Sequence, residues 1–316
     1  MKLSIIVPIY NAGSKIHLLL DSVLKSKLEF EVICVNDGST DNTVEEINHI
    51  SDTRVKLYTK QNGGTFRAWQ YGLERAVGEY VTILDQDDYI DTEYIDYIFN
   101  FIDNIGAEIL FSPYIIEKEN GDGKICGIPF DEGLYTGDKL ESIRKKLVGG
   151  SVPYAKFTKV LLKEILVKQV ETTYKGQIHD FEDWLTMIEV FNNTKSIYFC
   201  KKAFYHYIQY ENSVSRSSKS YKKNYDSLQA AIEFLKRSEY AHLQEEDIQS
   251  ISFYGERCIL NKCTKIHEIL LASQIIKSRE FQSYLSKSNL SPIEKLILKQ
   301  KNAHLYYLCY RLKSII

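Results

Sequence analysis

The sequence predicts an α/β fold, a mostly parallel sheet with helices on both faces, followed by a helical carboxyl-terminal region. Three observations carry that prediction. Short β-branched runs alternate with segments of helical spacing through the first 112 residues. Carboxylates and glycines follow directly after two of those runs. From about residue 221 onward nearly everything has helical periodicity. Strand and helix patterns in alternation imply βαβ units and a parallel sheet buried on both faces.

Leu3-Ser4-Ile5-Ile6-Val7 reads as a buried strand, short and β-branched, with Pro8 behind it. Ile16, Leu19, Leu20, Val23 and Leu24 then recur at helical spacing, with Ser14 as the expected N-cap. Val32-Ile33-Cys34-Val35 is a second strand, and Val44, Ile47 and Ile50 mark a second helix capped by Thr40 or Asp41. Val55-Lys56-Leu57-Tyr58 is a third strand and residues 65–76 a third helix. Residues 80–84 and 108–111 supply two further strands. The glycines of 113–135 predict a loop or β-excursion, and helices are expected over 138–148, 156–168 and 182–192. Ser291-Pro292-Ile293-Glu294 is a helix start with a capping box. The expected division is an α/β domain over 1–215 and a helical region over 216–316.

Composition narrows the function classes. The net charge of −2 hides an asymmetry. Residues 1–200 carry 21 Lys and Arg against 31 Asp and Glu, a balance of −10, and residues 201–316 carry 19 against 11, a balance of +8. An acidic half suits metal binding, and a basic half suits anionic partners. No dense basic stripe interleaved with aromatics argues for nucleic acid. Cys34, Cys126, Cys200, Cys258, Cys263 and Cys309 form no CxxC pair, so reduced thiols are expected. With no signal-peptide pattern and no apolar run of about 18 residues, a cytoplasmic protein is expected, peripheral to the inner face of the membrane at most. In residues 287–316 six Lys and Arg stand against Glu294 alone, interleaved with Ile293, Leu296, Ile297 and Leu305. Segment 291–316 therefore suits either an anionic membrane surface or a helix packed on the domain or on a second subunit.

Ligands of such sheets bind outside the carboxyl ends of the strands, which directs attention to residues 36–41 and 85–88. Asp37, followed by Gly38 and Ser39, can accept a hydrogen bond from a ligand N–H, or can cap backbone amides in a turn. Asp85-Gln86-Asp87-Asp88 places three carboxylates within four residues. They repel one another unless a cation or solvent intervenes, and oxygen-only ligands select Mg²⁺ or Mn²⁺. The alternative is an exposed acidic start to a helix. The apolar strand directly before the cluster favours the metal. A DxD phosphatase nucleophile would follow the first strand instead of the fourth. A nucleotidyltransferase would show a basic Gly-rich loop where this chain has Tyr10-Asn11-Ala12-Gly13.

Taken in order, Ser4-Ile5-Ile6-Val7-Pro8-Ile9-Tyr10-Asn11, Val35-Asn36-Asp37-Gly38-Ser39-Thr40-Asp41, Asn62-Gly63-Gly64, Gly78-Glu79-Tyr80 and Leu84-Asp85-Gln86-Asp87-Asp88 resemble family 2 glycosyltransferases of the GT-A fold. The resemblance covers roughly the first 115 residues. It implies inverting transfer from a nucleotide sugar, usually a UDP-sugar, to a hydroxyl of a glycan or lipid-linked acceptor. Pro8 and Tyr10 would flank the nucleotide, Asn62 and Gly63 would belong to its loop, and Asp37 would read the base. Asp85 would touch ribose or sugar, Asp87 would ligate Mn²⁺ or Mg²⁺, and Asp88 would assist. Many members continue to an Ala-Arg-Asn triplet, where this chain has Ala68-Trp69-Gln70. Arg67 could substitute, although two helical residues turn it by about 200°.

In the second half, His179-Asp180-Phe181-Glu182-Asp183-Trp184 resembles the family's Glu-Asp motif. Asp183 would be the general base and Glu182 would orient the acceptor or raise the base's pKa. The same residues also suit a capped helix start. His206 resembles a late metal ligand, with aromatic packing as its alternative, and His179 is a weaker rival. Arg216, after Ser213 and Ser215, would clamp phosphate. Tyr154-Ala155-Lys156-Phe157 resembles an acceptor-side segment. The rival class is a non-catalytic subunit that keeps the fold and binds a nucleotide sugar or glycan.

Overall fold

The computed structural model describes residues 1–148, 159–167, 182–210, 221–236, 245–262, 269–288, 290–303 and 306. The chain divides into two compact units, Met1–Arg144 with Val152–Ser215, and Lys145–Ser151 with Arg216–Ile316.

The first unit is built on parallel strands β1 (Leu3–Ile9), β2 (Glu31–Asn36), β3 (Val55–Thr59) and β4 (Tyr80–Ile83), in the spatial order β3-β2-β1-β4. Every residue of β1, β2 and β4 is buried. Near-continuous apolar runs in these strands follow from burial on both faces. Helices α1 (Ile16–Leu24), α2 (Thr43–Asn48) and α3 (Thr65–Leu73) follow β1, β2 and β3 in the chain. Their first turns therefore gather at the carboxyl edge of the sheet. Gly72 is what lets α3 close on that sheet, because a Cβ there would stand 2.6 Å from Ile6 Cγ2 and 3.1 Å from Val35 Cγ2.

The predicted helix starts need two corrections: the N-cap of α2 is Asn42, without a side-chain cap, and not Thr40 or Asp41, although Asp41 Oδ1 accepts from the Thr43 amide at 3.1 Å. Ser14 caps nothing; Gly13–Lys15 forms a 3₁₀ turn and α1 begins at Ile16 without a side-chain cap. The amides of Ala12 and Gly13 instead donate across to Thr43 Oγ1, each at 2.9 Å. The β1–α1 turn is thus fastened to α2 before the helix starts.

The same sheet continues beyond β4 through β10 (Lys159–Leu162), β6 (Ile109–Phe111), β11 (Ser196–Phe199) and β9 (Gly133–Thr136), with β10 and β9 antiparallel to their neighbours. The strand β10 corrects the helix expected over 156–168, of which the described helical part is 163–167. Pairing with β4 and β6 on both sides buries Val160 and Leu161 completely, and tertiary contact overrides local periodicity. A second sheet, in the order β5-β12-β7-β8, joins β5 (Tyr89–Ile90), β12 (Tyr205–Gln209), β7 (Tyr114–Lys118) and β8 (Gly123–Cys126). The β-excursion expected in 113–135 is therefore β7, β8 and the start of β9. Helices α4 (Tyr94–Asn104), α5 (Gly137–Val148) and α6 (Glu182–Asn193) complete the set to residue 193.

The second unit contains α7 (Tyr221–Leu235), α8 (Glu245–Lys262), α9 (Ile269–Lys277), α10 (Arg279–Leu285) and α11 (Pro292–Lys299). Phe253 of α8 stacks on Phe281 of α10 at 4.7 Å. Ser291 and Glu294 form the expected capping box at α11. Ile293 and Leu296 are exposed on that helix, beside exposed Lys299. Of the basic segment 291–316, residues 304, 305 and 307–316 lie outside the described residues. Among the described residues no helix is long and apolar enough to cross a membrane.

Glu256 on α8 is buried, and among the described residues its Oε2 has no hydrogen-bond partner. Burial, and then the charge of Glu280, push its carboxyl from 4.5 up to about 8, against a hydrogen bond with Gln229. Below pH 4.5 both folded and unfolded chains hold the proton and the group is neutral in its effect. Between 4.5 and 8 the unfolded chain ionises first, so stability falls as pH rises, and the full penalty stands above 8. Glu256→Gln is expected to stabilise the helical unit by roughly 2–4 kcal/mol at pH 8.5 and by nothing near pH 4. Urea melts of both proteins at the two pH values measure this; an equal gain at both would remove ionisation as the cause.

Candidate active site

The site grows from three strand tips at one edge of the sheet. At the β1 tip, Pro8 is buried within the strand and Tyr10 is 47% exposed. Asn11 follows in the left-handed region, with φ of 49°. That conformation lets its amide donate to Ser39 Oγ at 3.0 Å and its Oδ1 accept from the Thr40 amide at 2.8 Å, tying the first tip to the second.

At the β2 tip, Asp37 is buried, and its carboxylate accepts from Lys60 Nζ at 2.6 Å and from the Gly63 and Gly64 amides at 3.0 and 2.7 Å. Gly38 turns away with φ of 75°, and a Cβ there would lie 3.0 Å from the Asn62 amide nitrogen. Asp37 thus organises the Asn62-Gly63-Gly64 turn, which leads directly into α3. On α3, Trp69 is buried and packs edge-on against Phe66 at 4.8 Å, while Arg67 is exposed and donates to Gln70 Oε1 at 3.2 Å. Arg67 and Trp69 stand on opposite sides of the helix, as two helical residues require.

At the β4 tip, the four residues of the acidic turn take four different roles. Gln86 brackets the backbone of Tyr10: its Oε1 accepts from the Tyr10 amide at 2.7 Å and its Nε2 donates to the Tyr10 carbonyl at 3.0 Å. The Asp85 amide donates to Tyr205 Oη at 3.2 Å. The Asp87 carbonyl accepts from Tyr210 Oη at 3.2 Å, and burial pushes the Asp87 carboxyl up from its ordinary value, with the charge of Lys15 opposing. Asp88 is fully buried. Its carboxylate accepts from Tyr205 Oη and, at 2.8 Å, from the Ile208 amide. Burial, then the charge of Asp85, raise the Asp88 carboxyl to about 8 despite those two bonds.

Two expected metal ligands therefore stand differently. Asp88 is turned into the protein and holds the acidic turn against β12, so it supports the turn from beneath. His206 alternates to the opposite face of β12 from Tyr205. There it stacks on Tyr89 at 4.2 Å, with Nδ1 2.8 Å from Glu117 Oε2 and Nε2 3.2 Å from Asp91 Oδ1. Its partners are the carboxylates of β7 and the β5–α4 turn. Among the described residues no group of three His, Cys, Asp or Glu side chains is arranged to hold a metal ion. Asp87 still fits one: a carboxylate raised by burial gains from a cation, and Mg²⁺ is ordinarily held by one or two carboxylates together with substrate phosphates.

Glu182 and Asp183 fall in the first turn of α6, and their side chains lie outside the described residues. His179, Arg216 and the 154–157 segment also lie outside them. The residues that sequence reasoning missed are Gln86, Tyr205, Lys60 and Lys15, each defined by a partner distant in the chain.

A family model described as Glycosyl transferase family 2 matches residues 4–165, more than half of the 316-residue chain. The chain belongs to that family. Among family 2 relatives, the poly(ribitol-phosphate) β-N-acetylglucosaminyltransferase TarS of Staphylococcus aureus is 29% identical over 213 residues, 66% of this chain and 35% of TarS. The chain thus spans about a third of the length of that relative. The glycosyltransferase GlyG of Streptococcus pneumoniae is 26% identical over 223 residues, 68% of this chain and 73% of GlyG. The crystal structure of TarS 1–349 in complex with UDP-GlcNAc superposes with a TM-score of 0.66 at 23% identity, covering 99% of this chain and 92% of that one. The architecture of this family 2 chain is accordingly GT-A, with the helical elements following the sheet.

Proposed function

We propose that this family 2 chain is an inverting glycosyltransferase that moves a hexosyl or N-acetylhexosaminyl group from a UDP-sugar to a hydroxyl of a glycan or lipid-linked acceptor. One observation carries the reading: the acidic turn 85–88 is locked to Tyr10 at the β1 tip by Gln86 and to β12 by Asp88, with Asp37 at the tip of β2 on the far side of β1. The TarS complex with UDP-GlcNAc supports uridine diphosphate as the carrier.

In this reading Pro8 and Tyr10 flank the nucleoside, and Asp37, with Asn62 and Gly63, shapes the base pocket. Asp85 faces the ribose or sugar. Asp87 would hold Mn²⁺ or Mg²⁺ together with the donor phosphates, and such an ion would neutralise the charge of the departing diphosphate. Asp183 removes the acceptor's hydroxyl proton as that oxygen attacks the anomeric carbon, and Glu182 orients the acceptor. The bond between the anomeric carbon and the phosphate oxygen breaks on the opposite side, giving inversion.

Gln86 offers a test that separates positioning from charge. Gln86→Glu keeps the acceptor to the Tyr10 amide, removes the donor to its carbonyl and adds a charge beside Asp85 and Asp87. The donor KM is expected to rise about tenfold, with a smaller change in kcat. An unchanged KM would detach Gln86 from donor binding. Burial of Trp69, at the position where the resemblance to many family members implies an arginine, favours the second reading, a non-catalytic nucleotide-sugar- or glycan-binding subunit. Release of UDP from a panel of UDP-sugars, with and without Mn²⁺, decides between the two: turnover supports the enzyme, and saturable binding without release supports the subunit.

A further inference from the structure

We propose that Lys15 is a cation that the protein itself brings to the diphosphate of the donor, a role that rests on the reading of Asp87 given above. Lys15 closes the Gly13–Lys15 turn between β1 and α1, at the edge of the sheet where the strand tips gather. Its exposed side chain does not simply extend into water. Nζ lies 3.9 Å from the centroid of the Tyr210 ring, and Tyr210 Oη donates to the Asp87 carbonyl. Lys15, Tyr210 and Asp87 therefore form one chain of contacts.

Among the described residues, two other cations near the strand tips are placed for other work. Lys60 donates to Asp37 and to the Gln61 carbonyl, and Arg67 is exposed on α3 beside Gln70. The ammonium over Tyr210 is a weak arrangement for a lysine, since an exposed cation–π contact barely offsets the order it imposes. A stronger anion can draw it away. A nucleoside diphosphate carries two to three negative charges, so a divalent cation at Asp87 leaves anionic oxygens to be met. That same cation would repel Lys15 from Asp87, and the phosphate oxygens would receive it. Tyr210 in this picture holds the lysine close until the donor arrives.

The test uses the full chain in Mn²⁺ at fixed ionic strength, with UDP binding followed by calorimetry and uridine binding by ligand-observed NMR. Lys15→Gln is expected to weaken UDP about tenfold and to leave uridine unchanged, and Lys15→Arg is expected to keep most of the UDP affinity. If Lys15→Gln binds UDP as the wild type does, or loses uridine and UDP alike, the diphosphate role is overturned while the proposed function stands. A wild type that binds no UDP with Mn²⁺ would remove both.

Discussion

Asp87→Ala is expected to lower kcat/KM for donor turnover by at least about 10³-fold and to erase any gain in UDP affinity on adding Mn²⁺. The expectation comes from the electrostatics of one position. Burial raises the Asp87 carboxyl, against a backbone hydrogen bond and then the charge of Lys15, so burial disfavours its anionic form. A divalent ion shared with the donor's phosphates supplies the compensating charge, and alanine removes the reason for the ion to stay. Calorimetry of UDP with and without Mn²⁺, run beside a UDP-release assay, measures both consequences. Asp88→Asn serves as the contrast, because Asp88 supports the turn through Tyr205 and Ile208. That variant should lose thermal stability while keeping some of the metal-dependent gain. If Asp87→Ala retained the metal effect and Asp88→Asn lost it, the assignment of ligand and support would be reversed.

The parts of the fold that could be read from the sequence are those whose environment is uniform along the segment. Residues of β1, β2 and β4 are buried on both faces, so an unbroken apolar run was a sufficient signal. Strand β10 was not legible, because its identity depends on β4 and β6, which pair with it from remote parts of the chain. Ser14 looked like a cap because its residue type suits one, but the amides of Ala12 and Gly13 found Thr43 first.

The site divides in the same way. Asp37, Asp85 and Asp87 stand at strand ends, where the topology of a parallel sheet puts ligands, and strand ends are local features. The supports of those residues are not local. Gln86 reads as an ordinary polar residue until Tyr10 is seen 76 positions away in the chain, and Tyr205 reads as core until its hydroxyl meets Asp88. His206 shows the sharper limit. A strand pattern places Tyr205 and His206 on opposite faces, but no local signal says which face looks toward the acidic turn.

Asp183→Asn is expected to lower kcat by roughly 10²–10⁴-fold while leaving UDP and Mn²⁺ binding unchanged. Asparagine keeps the size of the side chain and its hydrogen-bonding oxygen but cannot take a proton, so the substitution removes one chemical capacity. The backbone puts Asp183 in the first turn of α6, where the helix dipole favours the ionised carboxylate. Glu182, the residue before it in sequence, would orient the acceptor or raise the proton affinity of Asp183 by like-charge repulsion. A general base needs both properties: it must be ionised before the reaction and basic enough to hold a proton during it. Glu182→Gln should accordingly shift the acidic limb of the kcat profile to lower pH, with a smaller loss of rate than Asp183→Asn. Near-wild-type transfer by Asp183→Asn would take the residue out of the mechanism. Loss of UDP affinity in step with kcat would instead mark it as a structural part of the donor pocket.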